Sequence, residues 1–160
     1  GSEVELVSQE SREFAAHRAL LNLPYETIII DCPPSLGLLT INGLTAANSV
    51  LIPVQAEYYA LEGLSQLLNT IQAVRASTNP GLELLGIVLT MFDKRNSLSE
   101  QVQTEVKNYF GAALFETLIP RNVRLAEAPS YGRTIFEHDR WSKGARAYKA
   151  LAKEVKARLG

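Results

Sequence analysis

An α/β fold, a three-layer arrangement with a parallel sheet and helices on both faces, is predicted by two features of this 160-residue sequence. Short apolar runs recur along the chain, and between them lie longer segments with apolar residues three and four apart. Alternation of that kind calls for a parallel sheet, because each crossover helix must pack back onto the strands it connects, and the crossovers are then right-handed. A composition of 46% apolar and 21% charged residues supplies the core such a fold needs and argues against disorder.

Taken in order, residues 4–21 suit a helix, with Val7, Phe14 and Leu21 on its apolar stripe. Thr27-Ile28-Ile29-Ile30 is a continuous β-branched run, suited to a strand buried on both faces. Residues 49–54 and 84–90 read as two further strands, and 113–119 as a weaker fourth. Leu61, Leu64, Leu67, Leu68, Ile71 and Val74 mark one face of a helix that Asn79-Pro80-Gly81 ends. Ser97-Leu98-Ser99-Glu100 has the form of a capping box: the serine accepts an early helix N–H and the glutamate reaches back. Val102, Val106, Tyr109 and Phe110 behind it are expected to face inward. The last helix, from about Ser142, carries Ala145, Tyr148, Leu151, Ala152, Val155 and Leu159 on one side.

No apolar run approaches the roughly 18–20 residues of a membrane span. Gly1-Ser2 reads as a cloning remnant, and no signal peptide opens the chain. One cysteine, Cys32, suits a reducing compartment, so a cytoplasmic location is expected. Net charge is −1, which excludes a uniformly basic nucleic-acid binder, but the charge is polarised. Six acidic residues against two basic ones occupy positions 1–31, and seven basic against two acidic occupy 139–160. That pattern fits either a solvated helix face or a local basic surface. Arg121, Arg124, Arg133, Arg140, Lys143 and Arg146 are the candidates for a DNA-facing strip, since phosphate contacts need mobile cations and no base-reading motif.

Ligands of an open parallel sheet bind outside the carboxyl ends of its strands. Those ends offer Asp31 through Ser35, then Gln55, then Met91 through Lys94, then Pro120 through Asn122. Asp31 is the sharpest of them. A carboxylate directly after the β-branched run 27–30 either holds a hydrated Mg²⁺ and orders a water, or caps the next helix, a task Ser35 can also perform. The prolines after Cys32 impose a stiff extended exit. Cys32 itself suits core packing, His17 and His138 are too far apart to suggest a metal site, and Ser35 lacks a nucleophile-elbow motif.

From Tyr25 through Asp31-Cys32-Pro33-Pro34-Ser35-Leu36-Gly37 the sequence resembles the Walker B strand and switch loop of ParA/Soj-type chromosome- and plasmid-partitioning ATPases. Residues 52–63 resemble that family's next strand and helix start, Leu89-Thr90-Met91-Phe92-Asp93 its base-side strand end, and residues 119–132 its late nucleotide loop. The likeness covers almost the whole chain, and it implies a P-loop NTPase-like fold of which residues 3–160 form the C-terminal portion. It implies that Asp31 assists Mg²⁺ through water. Cys32, Pro33, Pro34, Ser35 and Gly37 would form the switch, and Met91, Phe92, Asp93, Ile119 and Pro120 would lie around the adenine. ATP-driven dimerisation coupled to non-specific DNA binding, and hydrolysis stimulated by a ParB-type partner, are the expected activities of a nucleoid-associated protein.

One departure is large. The family's strand and deviant phosphate loop, K-G-G-x-G-K-[ST], are not found among these residues, and Lys143-Gly144 lies near the other end. Without the backbone cradle, its lysine and its Mg²⁺-binding hydroxyl, ATP hydrolysis by this chain alone is not expected. ATP or ADP and Mg²⁺ belong to the complete protein, and this chain need hold none. Exposed strand edges are expected to favour a dimer or strand-exchanged oligomer, which a monomeric mass at high micromolar concentration would contradict. The alternatives are a MinD-like membrane-cycling ATPase, disfavoured by a last helix without bulky bilayer-facing residues, and a non-catalytic α/β interaction module, disfavoured by the Pro-Pro segment.

Overall fold

The computed structural model describes residues 11–33, 35 and 37–160, so the start of the expected first helix, with Val4 and Val7, and Pro34 and Leu36 of the switch loop lie outside the described residues. In chain order the elements are α1 (Ala15–Leu20), α2 (Leu38–Ala46), β1 (Ser49–Gln55), α3 (Ala60–Ser77), β2 (Glu83–Thr90), α4 (Ser97–Phe110), α5 (Val123–Glu127), α6 (Ile135–His138) and α7 (Lys143–Leu159). They form two compact units: one takes in residues up to Val50 with Ser65–Leu84, the other Leu51–Leu64 with Leu85–Gly160.

In the first unit, Leu44, Ile71, Val74 and Leu82 are buried. Side chains tie its helices together. Asn79 donates to the carbonyls of Leu44 (2.9 Å) and Ala47 (2.7 Å), and the hydroxyls of Thr45 and Thr78 meet at 2.8 Å. The Ala16 amide donates to the Asn42 side chain at 3.1 Å, which fixes the short α1 against α2. Leu21, expected on the apolar stripe of α1, is instead exposed.

The run from Thr27 to Ile30 is not a strand in the structure, contrary to expectation. A strand is defined by its ladder, and among the described residues no segment pairs with this one; Ile29 is 90% exposed. Apolar, β-branched composition favours extended backbone, but the pairing itself is non-local.

In the second unit β1 and β2 pair in parallel, closing with the Ala56 amide on the Thr90 carbonyl at 3.0 Å. The segment expected as a fourth strand runs beside β2 without a continuous ladder: Leu114 bridges Ile87 in parallel, the Ile119 amide donates to the Leu89 carbonyl at 2.9 Å, and just past β2 Phe92 bridges Pro120. Between them Glu154 of α7 intercepts the backbone, accepting from the amides of Glu116 (2.8 Å) and Thr117 (3.0 Å), so the ladder is interrupted there. Arg158, one turn further along α7, completes the knot. Its guanidinium donates to the carbonyls of Leu85, Ala113 and Leu114 and to Glu154, and lies 3.7 Å from the Phe115 ring centroid. Val88, Phe115, Ile119 and Leu151 form the core beneath, with Val155 and Leu125 packed on it.

Glu154 gives this knot a pH dependence. Burial opposes its ionisation, but hydrogen bonds from Thr117, from the Glu116 amide and from Arg158 outweigh burial and hold the carboxyl below its ordinary value. Its stabilisation is therefore complete above the unfolded-state value of about 4.3 and is lost as pH falls through the lower folded value. Urea midpoints of Glu154→Gln are expected to change less with pH below about 4.5 than those of the parent chain. Parallel pH profiles would contradict the assignment.

Helix ends depart from expectation in one place. Asn96, not Ser97, caps α4, its side chain accepting from the Leu98 amide at 3.0 Å. Asparagine is at least as good a cap as serine, and it lies one residue earlier. Val102 and Val106 are buried as expected, whereas Tyr109 is exposed. Ser142 caps α7 through the Ala145 amide at 3.0 Å. Ala145 and Leu151 are buried, but Tyr148 and Leu159 of the expected apolar side are largely exposed.

Candidate functional site

The first unit carries Asp31 and the loop that follows it. Asp31 is exposed, and among the described residues its carboxylate makes no hydrogen bond or ion pair. The helix-capping alternative is not adopted: α2 starts at Gly37 as its N-cap with no side-chain cap, so neither Asp31 nor Ser35 performs that task. The loop is held from α2 instead. The Thr40 hydroxyl donates to the Ser35 carbonyl and lies 3.4 Å from that of Pro33. Cys32 is half-buried against Gly43, where an added Cβ would lie 2.5 Å from its sulfur. Burial pushes the Cys32 thiol up, and the neighbouring Asp31 charge adds to this, so both favour the thiol over the thiolate.

The second unit carries the ends of β1, β2 and the 113–120 segment. Met91 adopts a left-handed backbone, φ 53°, immediately after β2. That turn redirects the chain so that the Phe92 amide donates to the Ile119 carbonyl (3.0 Å) and the Arg121 amide to the Phe92 carbonyl (3.1 Å). Met91, Phe92, Ile119 and Pro120 are thus brought together. Phe92 and Ile119 are buried, so they support this end from behind, while Met91 lies at the surface. Asp93 is committed elsewhere: Arg95 donates to its oxygens at 3.2 and 3.1 Å and holds the carboxyl below its ordinary value.

The six basic candidates divide by environment. Arg121 pairs with Glu57 at 3.2 Å, and Arg124 with Glu127 at 2.9 Å and Asp139 at 3.6 Å. Arg124, then His138, hold the Glu127 carboxyl low. Arg140 lies over the Trp141 ring at 5.0 Å. Arg133, Lys143 and Arg146 are exposed and make no ion pair among the described residues. Residue-by-residue reading missed the continuation of Arg146 along α7. Lys149, Lys153 and Lys156 follow it at spacings of three, four and three, all exposed and without an ion pair among the described residues. Those spacings put four cations on one helix face. The seven basic residues counted in 139–160 were the signal for it. Thr40 and Gly43, which hold the Asp31 loop, had no signal beyond a glycine inside a helical pattern.

Residues 1–84 match the model of a family described as an AAA domain, AAA_31. The chromosome partitioning protein ParA of Myxococcus xanthus is 56% identical over 160 residues, 99% of this chain and 56% of that protein. The sporulation initiation inhibitor protein Soj of Bacillus subtilis is 58% identical over 159 residues, 98% of this chain and 63% of that protein. The chain therefore spans less than two thirds of the length of either relative. A crystal structure of cobyrinic acid a,c-diamide synthase from Mycobacterium smegmatis with bound ADP and magnesium superposes with a TM-score of 0.76 at 39% identity, over 96% of this chain and 56% of that one.

Proposed function

The chain belongs to the AAA-domain family, with a P-loop NTPase-like α/β fold and ParA and Soj chromosome-partitioning proteins as relatives, and on that premise we propose that it is the switch and base side of a partitioning ATPase. The observation that carries the reading is the Asp31 loop. An exposed carboxylate that caps no helix, on a loop pinned to α2 by Thr40 and by close approach to Gly43, supports it, because a hydrated Mg²⁺ takes oxygen ligands of this kind. Nucleotide with Mg²⁺, when bound, supplies the phosphoryl group and the charge that hydrolysis must stabilise. Within this chain Asp31 would hold the metal's water shell and the 32–37 loop would respond to it. Met91 and Pro120 would border the base, with Phe92 and Ile119 as their backing.

Turnover by this chain alone is not part of the proposal. Phosphoryl transfer depends almost wholly on positioning and charge stabilisation, and no phosphate-loop motif occurs in these 160 residues. The purified chain with Mg²⁺ and ATP is expected to release phosphate at the rate of buffer, and calorimetry is expected to show no micromolar binding of ATP or ADP. Turnover that Asp31→Ala abolishes would keep the family reading and overturn the inactivity. Turnover indifferent to Asp31→Ala would overturn the inactivity and the role given to Asp31.

Non-specific duplex DNA is the proposed polyanionic partner. The four-cation face of α7 supports it, with Arg133, Arg140 and Lys143 adjoining in sequence. Arg121 and Arg124 would first have to leave their carboxylates. A ParB-type protein as activator, dimerisation and a nucleoid-associated cytoplasmic location are what the resemblance to partitioning ATPases implies, and they belong to the same proposal. The exposed Leu23, Tyr25 and Ile29 support self-association. The MinD-like alternative is disfavoured because the buried side of α7, with Leu151 and Val155, is spent on the core, leaving cations outward. No described helix is long and apolar enough to cross a membrane.

A further inference from the structure

We propose that Gly43 is a positioning residue for the Asp31 loop: its missing side chain lets Cys32 seat on α2 and so holds Asp31 at the loop's exposed start. The functional weight of this rests on the reading of Asp31 as the Mg²⁺-side carboxylate, while the seating itself can be tested without nucleotide.

Gly43 lies inside α2, Leu38–Ala46, where helix propensity favours alanine. It is not among the residues with positive φ, so backbone conformation does not demand glycine there. What demands it is space. A Cβ at 43 would meet the Cys32 sulfur at 2.5 Å and the Ile30 Cγ2 at 3.5 Å, where ordinary contacts are roughly 3.5–4.0 Å. Neither side can yield freely. Pro33 restricts Cys32 to extended backbone. The Thr40 hydroxyl grips the loop further on at Ser35. From the other side, α2 is fixed through Asn42 to the Ala16 amide, and through its Leu44 carbonyl and that of Ala47 just after it to Asn79. A methyl at 43 therefore expels the thiol from its half-buried seat, and the adjacent Asp31 moves with it.

Cys32 is the sole cysteine of the chain, so a thiol reagent reports on this seat alone. In the 160-residue chain, Gly43→Ala is expected to raise the rate of Cys32 labelling by 5,5′-dithiobis(2-nitrobenzoate) about fivefold or more, since access limits the reaction of a seated thiol. The backbone amide resonance of Asp31 is expected to shift with it. Removing the sulfur should relieve the conflict: in Gly43→Ala with Cys32→Ala, the Asp31 amide should return to its position in Cys32→Ala alone. A merely structural lesion in α2 would not be rescued in this way. An unchanged labelling rate with an unmoved Asp31 amide would overturn the proposal. So would a double variant that fails to fold where Cys32→Ala folds. Neither readout uses nucleotide, so an Asp31→Ala variant without effect on the complete ATPase would sink the Mg²⁺ reading and leave the seating intact.

Discussion

Gly86→Ala is expected to destabilise the second unit by about 4 kcal/mol or more, a large share of a total stability that is typically about 5–15 kcal/mol. Gly86 lies within β2 at φ 153°, a backbone that side chains resist. A Cβ there would lie 2.5 Å from the Ala113 carbonyl oxygen, 2.5 Å from Phe115 Cε2 and 2.7 Å from Arg158 Nη1. Overpacking of a core typically costs about 1–3 kcal/mol when neighbours can shift. Here they cannot shift independently. The first is backbone next to Leu114, which bridges to β2, the second a ring 1% exposed, and the third a guanidinium already donating to three carbonyls. The same displacement would carry the 113–120 segment away from β2 and loosen the Phe92–Pro120 bridge that shapes the proposed base side. Urea unfolding followed by circular dichroism measures the loss. A midpoint within a few tenths molar of the parent chain would mean that the segment does not approach β2 this closely.

How far these features were legible in the sequence depends on whether a local pattern or a distant partner decides them. Strands β1 and β2 were read to within one residue at each end, because their apolar runs are bounded by local breakers and their partners are each other. The run from Thr27 to Ile30 has an equally strong pattern and no ladder among the described residues, since composition selects extended backbone and only a neighbour makes a strand. Residues 113–119 failed for a different reason: a carboxylate 37 residues further on, from Glu154 to the Thr117 amide, takes the place a strand would have taken. At the candidate site, Asp31 stood out because a charge after a β-branched run ending in three isoleucines is anomalous on any fold. Gly43 and Thr40 did not, because their role lies in the distance to a loop several residues back. The basic strip was half legible. Spacing along α7 marks one helix face, but nothing near Arg121 or Arg124 in sequence announces that Glu57 or Asp139 engages them.

Removing the four cations Arg146, Lys149, Lys153 and Lys156 together is expected to lower duplex-DNA affinity about a thousandfold at 0.15 M salt. Each phosphate neutralised releases a condensed counterion, so log affinity falls with log salt by about 0.9 per contact, and four contacts contribute a slope of about 3.6. Measured from 1 M salt, where counterion release contributes little, that slope amounts to about three decades at 0.15 M. Alanine is a good helix former, and these positions are exposed, so α7 should persist with its Ala145 and Leu151 side in the core. Replacing Arg121 and Arg124 instead should do less, because each already has carboxylate partners and would have to surrender them to bind phosphate. Fluorescence anisotropy of a labelled random-sequence duplex, titrated from 50 to 300 mM salt, separates the two cases. A slope unchanged in the α7 variant but flattened in the Arg121 and Arg124 variant would move the DNA surface to the loop that opens α5. Slopes unchanged in both would leave the seven cations of residues 139–160 as a solvated face.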